Sequence, residues 1–98
     1  MTISKTSDRS TETHIHRALD QASRLREALL ADLPDSSEDL VIEAQRLGIQ
    51  FVLDEVRAAA ARLESGSYGT CLGCTAQIPW ERLELRPWAA FCVRCAGR

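Results

Sequence analysis

The sequence predicts a mainly α protein, an antiparallel two-helix coiled-coil hairpin followed by a small four-cysteine finger. Three observations lead there. Apolar residues recur at alternating spacings of three and four along two long stretches. A polar break containing a proline, Asp32-Leu33-Pro34-Asp35-Ser36-Ser37, separates those stretches. Two Cys-x2-Cys pairs then occupy the C-terminal third. At 98 residues a single hydrophobic core is marginal, and chains of this size commonly draw on a metal, a disulfide or a partner.

The elements follow in chain order. Residues 1–12 are rich in Ser and Thr; such a stretch buries too little surface to offset its ordering entropy, so a flexible polar tail is expected. Residues 13–65 form the hairpin, with its tip at about 32–39. In the first helix Ile15, Ala18, Ala22, Leu25 and Leu29 make a coiled-coil seam. The second helix runs from about Ser37 to Ser65, on the order of 40 Å at about 1.5 Å per residue. Asp35 is expected to cap it, with Glu38 three residues on, as in a capping box.

That second helix carries more apolar surface than one partner needs. Ile42, Ile49, Leu53, Val56, Ala60 and Leu63 form one stripe, and Leu40, Ala44, Leu47, Phe51 and Ala58 form another on roughly the opposite side. Only a narrow polar strip, with Glu43, Arg46, Gln50, Asp54 and Arg57, lies between them. One stripe meets the first helix. The other calls for the finger, the N-terminal segment or a second chain, so self-association is among the expectations.

Residues 66–98 carry the chemistry. Cys71 and Cys74 form one pair and Cys92 and Cys95 the other, with seventeen residues between them. Each pair brings two sulfurs to one small turn, and two such turns facing each other supply four thiolates at tetrahedral corners. This is the donor set of one structural Zn2+ per chain, with Zn–S distances near 2.3 Å and no open position for water. Two redox dithiols are the competing reading of the same cysteines. His14 and His16, at the start of the first helix, are expected to face solvent. Trp80 and Trp88, each following a proline, read as packing around the finger or against the hairpin base, or else as anchors for a partner.

Composition narrows the function classes. The formal net charge is -2, aromatic residues make up 5%, and the isoelectric point is near 5.6. None of these suits a protein that grips nucleic acid by bulk positive charge or an aromatic platform. No apolar run approaches the roughly 20 residues that span a bilayer. The polar N-terminus has no signal-peptide centre, so a cytoplasmic, reducing location is expected, where cysteines favour metal over structural disulfides. Catalysis is not expected: there is no Gly-rich phosphate loop and no nucleophile–base pair.

The run Leu63-Glu64-Ser65-Gly66-Ser67-Tyr68-Gly69-Thr70-Cys71, then Ile78, Arg82-Leu83, Pro87, Ala89 and Cys92-Val93-Arg94-Cys95, resembles the DksA/TraR family of zinc-finger transcription regulators. The preceding hairpin with its acidic tip is similar to the same family. That resemblance implies direct binding to bacterial RNA polymerase, with the coiled coil inserted into the secondary channel and acidic tip residues near the catalytic centre. Initiation would then change without contact to promoter DNA, in several members together with ppGpp. The family tip motif is Asp-x-x-Asp-x-Ala; the matching stretch here is Asp35-Ser36-Ser37-Glu38-Asp39-Leu40, which makes Asp35, Glu38 and Asp39 the partner-binding residues implied. Thr75 stands where the family usually has glycine, which predicts a tight or strained turn.

The tip also speaks for itself. From Glu27 through Glu43, both included, there are six acidic residues and no basic one. Capping accounts for acids at the start of the second helix, but Asp32 sits at the negative C-terminal end of the first. An acidic point suits a basic channel lining or a protein-bound Mg2+, through steering and orientation. Two alternatives come from other classes. The cysteine spacing is also that of GATA-like zinc-finger DNA-binding proteins, against which stands the small surplus of Arg82, Arg86, Arg94 and Arg98 over Glu81 and Glu84. A zinc-thiolate redox sensor is the other.

Overall fold

The computed structural model describes residues 9–34 and 38–97. The described residues form four helices: α1 (Arg9–Asp32), α2 (Leu40–Ser65), α3 (Trp80–Leu85) and α4 (Val93–Ala96). The long pair α1 and α2 pack against each other as the expected hairpin. Among the described residues there is no strand, only a single antiparallel bridge between Thr70 and Gln77.

Both ends of the hairpin differ from the sequence expectation in ways with clear causes. α1 begins at Arg9, inside the stretch 1–12 expected to be tail. A helix extends upstream of its first buried residue at little cost, and Glu12 in the first turn suits the positive end of the helix dipole. α2 begins at Leu40 rather than near Ser37, and its N-cap is Asp39, whose Oδ1 accepts from the Val41 N–H at 2.9 Å. The role expected of Asp35 thus falls to Asp39; Asp35 itself lies outside the described residues. At the other end Gly66 takes φ 87° and closes the helix through its N–H to the Arg62 carbonyl. Only glycine enters that left-handed conformation freely.

The seam of α1 is rotated from the one expected. Ile15 and Leu19 are buried, at 3% and 2% exposure, whereas Leu25 is 56% and Leu29 42% exposed. Arg26, Leu30 and Leu33 are partly covered instead. The reason is that α1 meets two neighbours. At the hairpin base one cluster joins Ile15 and Leu19 of α1, Val56 and Ala59 of α2, and Tyr68, Cys71, Ile78, Leu83, Ala89 and Cys92 of the finger. A helix wedged between two partners buries the side facing both, and an untwisted 3.6-residue period drifts away from a strict heptad.

On α2 the stripe with Leu53 and Val56 is the buried one, both at 1% exposure. The second stripe is not covered by the finger: Leu40, Ala44, Leu47, Phe51 and Ala58 are all exposed in the single chain. Toward the tip, polar contacts supplement the partly covered Leu30, Leu33, Ile42 and Ile49. Arg57 pairs with Glu27 at 2.9 Å, and Arg46 donates to the Pro34 carbonyl beside Glu43 at 3.6 Å. Exposed pairs of this kind contribute little, about 0–1 kcal/mol each. The base of the hairpin is therefore its well-packed end.

Candidate metal centre and hairpin tip

Two tight turns build the metal centre. In the first, the Cys71 N–H donates to the Ala76 carbonyl at 2.8 Å, and the Thr75 N–H donates back to the Cys71 carbonyl at 2.9 Å. In the second, Cys92 caps α4, whose one turn places Cys95 three residues on. The Leu72 N–H donates to the Ala90 carbonyl at 2.9 Å and ties the two turns together. The Sγ atoms of Cys71, Cys74, Cys92 and Cys95 consequently all lie within 4.8 Å of one another.

This donor set fits a zinc ion. Four thiolate sulfurs about 2.3 Å from a tetrahedral centre are separated by about 3.8 Å, and Cys74 Sγ stands 3.7 Å from Cys92 Sγ. When bound, the ion supplies a rigid cross-link between the two turns.

The four sulfurs differ in their surroundings. Cys71 is buried, at 1% exposure, and its Sγ accepts from the N–H groups of Gly73 and Cys92, both at 3.3 Å. Those donors, the Cys92 amide above all, hold the Cys71 thiol down to about 6. The Cys92 thiol is lowered as well, chiefly by the Cys95 amide. The Cys95 thiol is pushed up to about 12, because it donates to its already anionic neighbours, Cys71 first. Such a cluster retains protons as it gathers thiolates, and a divalent cation replaces them. Cys74, by contrast, is exposed.

Two residues beside the cysteines are constrained by the turns. A Cβ on Gly73 would sit 3.0 Å from Cys95 Sγ and 3.2 Å from its Cβ, so a side chain there would press on the second turn. Thr75 adopts φ 63°, the described non-glycine residue in the left-handed region. For a β-branched residue this costs about 1–2 kcal/mol, and it bears out the strained turn expected from threonine at that position. Thr75→Gly is therefore expected to raise the finger's stability by about 1 kcal/mol, after the greater chain entropy of glycine is deducted. Thermal melts of the zinc-loaded variant, with chelator competition beside them, would show it; an unchanged or lowered melting temperature would mean that the turn is not strained.

Tyr68, which the sequence offered only as part of the family resemblance and without a role, ties the finger together. It is 2% exposed, and its hydroxyl donates to the Pro87 carbonyl at 2.7 Å, joining the end of α2 to the chain that follows α3. Being the one tyrosine in the chain was its available signal. Burial pushes its pKa up to about 12, partly offset by Arg62. Because the folded value is raised for an acid that is neutral in the native state, its contribution is full below the ordinary value of 10 and is lost as pH rises through about 12. Absorbance titration of the phenol should show one transition near pH 12; a transition near 10 would place the hydroxyl in solvent.

The tryptophans fall where packing was expected. Trp80 and Trp88 lie partly buried against the core cluster, and the Arg26 guanidinium sits 4.8 Å from the centre of the Trp88 ring. Such a cation–π contact, of the order of 1 kcal/mol, helps set the finger against α1. His14 and His16 are both exposed. Of the tip residues, Glu38 is exposed and Asp39 caps α2.

These features find counterparts among known proteins. The model of the prokaryotic dksA/traR C4-type zinc finger matches residues 66–98. The solved structure of transcription factor DksA2 from Pseudomonas aeruginosa superposes with a TM-score of 0.65 at 26% identity, over 93% of this chain and 84% of that one. Residues 66–98 are thus a DksA/TraR-type finger. An uncharacterized protein of Aquifex aeolicus (strain VF5) is 41% identical over 44 residues, which is 45% of this chain but spans only 30% of that relative. The likeness to DksA2 extends over the hairpin as well as the finger. No described helix is long and apolar enough to cross a membrane.

Proposed function

We propose that this chain regulates transcription by binding bacterial RNA polymerase and directing its acidic hairpin tip into the secondary channel. The observation that carries the proposal is the joint presence of a DksA/TraR finger and a DksA2-like hairpin in one chain. In this reading Cys71, Cys74, Cys92 and Cys95 hold one zinc whose role is structural, closing the open end of the hairpin. Asp35, Glu38 and Asp39, with Asp32 beside them, form the negative tip. The protein works in the cytoplasm without catalytic activity of its own, and ppGpp acts with it at the polymerase interface. Promoter DNA is not contacted. Arg82, one of the few cations of the finger, donates to the Phe91 carbonyl at 3.0 Å and so serves the fold, which weakens the DNA-binding alternative further.

The test separates charge at the tip from helix capping. Asparagine caps about as well as aspartate, and Asp39 is the residue that caps α2. An Asp35→Asn, Glu38→Gln double variant should therefore keep its zinc and melting temperature, bind core polymerase nearly as well, and lose most of the effect on multi-round transcription. The assay uses a stress-regulated and a neutral promoter, with and without ppGpp. Wild-type protein that neither binds core polymerase nor alters either promoter would defeat the regulator reading. A double variant as active as wild type would defeat the role of the tip alone.

A further inference from the structure

Among the described residues the outer face of α2 has no partner, yet its sequence is that of a helix–helix seam. Leu40, Leu47 and Phe51 are 84%, 69% and 65% exposed, and Ala44 and Ala58 are exposed with them. Together with Asp54 they recur at steps of four, three, four, three and four, the spacing of a coiled-coil contact line. The line runs opposite the side that α2 gives to the core through Val52, Val56, Ala59 and Leu63, so neither α1 nor the finger packs against it. We propose that this face pairs with the same face of a second copy, antiparallel, about a two-fold axis between Leu47 and Phe51.

Charge selects both the occupant and its direction. In the antiparallel register Leu47 meets Phe51 of the second copy, Leu40 meets its Ala58, and Asp54 stands opposite its Ala44, where a small residue leaves the carboxylate room to reach water. Along one flank of that line lie Glu43, Gln50 and Arg57. The two-fold axis sets Glu43 beside Arg57 of the second copy, Gln50 beside Gln50, and Arg57 beside Glu43. Every position on that flank thus finds a complement. A parallel pair would instead oppose Asp54 to Asp54 and bring Arg57 next to Arg62, like charge on like charge. Glu43 and Arg57 are 38% and 54% exposed at their side chains. The Arg57 guanidinium has five donors, of which one Nη2 meets Glu27 at 2.9 Å, so the intramolecular pair leaves capacity for a second carboxylate.

A seam with three large apolar residues per chain falls below the 1,200 Å² or so of a standard stable interface, so the pair is weak, with a dissociation constant on the order of 100 µM. Pairing is independent of what the tip meets, and it places each tip alongside the other molecule's base.

Sedimentation equilibrium of the reduced, zinc-loaded full chain, from about 10 µM to about 1 mM, decides the matter. The mass should climb from the 10.9 kDa of one chain toward twice that value. Phe51→Glu should remain monomeric throughout while keeping its zinc and melting temperature. Glu43→Arg and Arg57→Glu should each weaken pairing on the order of ten-fold by setting like charges together. Mixed in equal amounts, those two variants regain both ion pairs and should associate at least as well as wild type. A wild type that stays monomeric at every concentration, a Phe51→Glu variant that dimerises normally, or a mixture no better than its components would each overturn the proposal.

Discussion

Replacing Cys71 by serine is expected to abolish retention of zinc and, with it, the folded finger. Of the four cysteines, Cys71 is the most deeply buried, its Sγ accepting two N–H groups within the core cluster that also holds Ile78 and Leu83. A serine oxygen is a poor ligand for zinc in a thiolate site and leaves those two amide donors with a shorter acceptor. Loss of an outer-shell partner already lowers metal affinity by roughly 10–100-fold, and loss of a ligand should exceed that. Because small sites of this type fold with their metal, structure should go with affinity. Elemental analysis and the near-UV signal of Trp80 and Trp88 would report the two losses together, with α1 and α2 retaining much of their helical signal. The same tryptophan change should follow treatment of wild type with a strong chelator. Retention of stoichiometric zinc by Cys71→Ser would show that the ion sits elsewhere.

Leu19→Ala is expected to destabilise the whole protein by about 3 kcal/mol, a large share of the roughly 5–15 kcal/mol that holds an ordinary domain together. Leu19 is 2% exposed and lies where α1, α2 and the finger meet. Truncation leaves a cavity bounded by three elements, which cannot all close at once. Leu25→Ala is the matched control: the same chemistry at a residue 56% exposed should change stability by less than about 0.5 kcal/mol. Chemical denaturation of both variants measures the contrast. Equal losses would mean that the α1 seam runs through Leu25 after all, as its heptad spacing suggests.

Two long helices, the break between them and the metal chemistry were legible from the sequence alone because each rests on local information. Three-and-four spacing, Pro34 with its flanking Asp and Ser, and two Cys-x2-Cys turns need no knowledge of distant neighbours. Whole-chain contacts decided the rest. α1 turned Ile15 and Leu19 inward and left Leu25 and Leu29 half out, since its buried side is fixed by α2 and the finger together and a heptad assumes one partner. Asp39, not Asp35, caps α2 because Leu40 is where that helix begins. The Tyr68 hydroxyl needed the Pro87 carbonyl, nineteen residues away, to reveal its use. Gly73 needed Cys95 brought close by a second turn before its missing side chain acquired a reason. The amphipathic pattern of α2 could say that two faces are apolar. Only the packed structure decided that the finger settles on the base of the hairpin, where Val56 and Ala59 complete its core, and leaves Leu40, Leu47 and Phe51 to solvent.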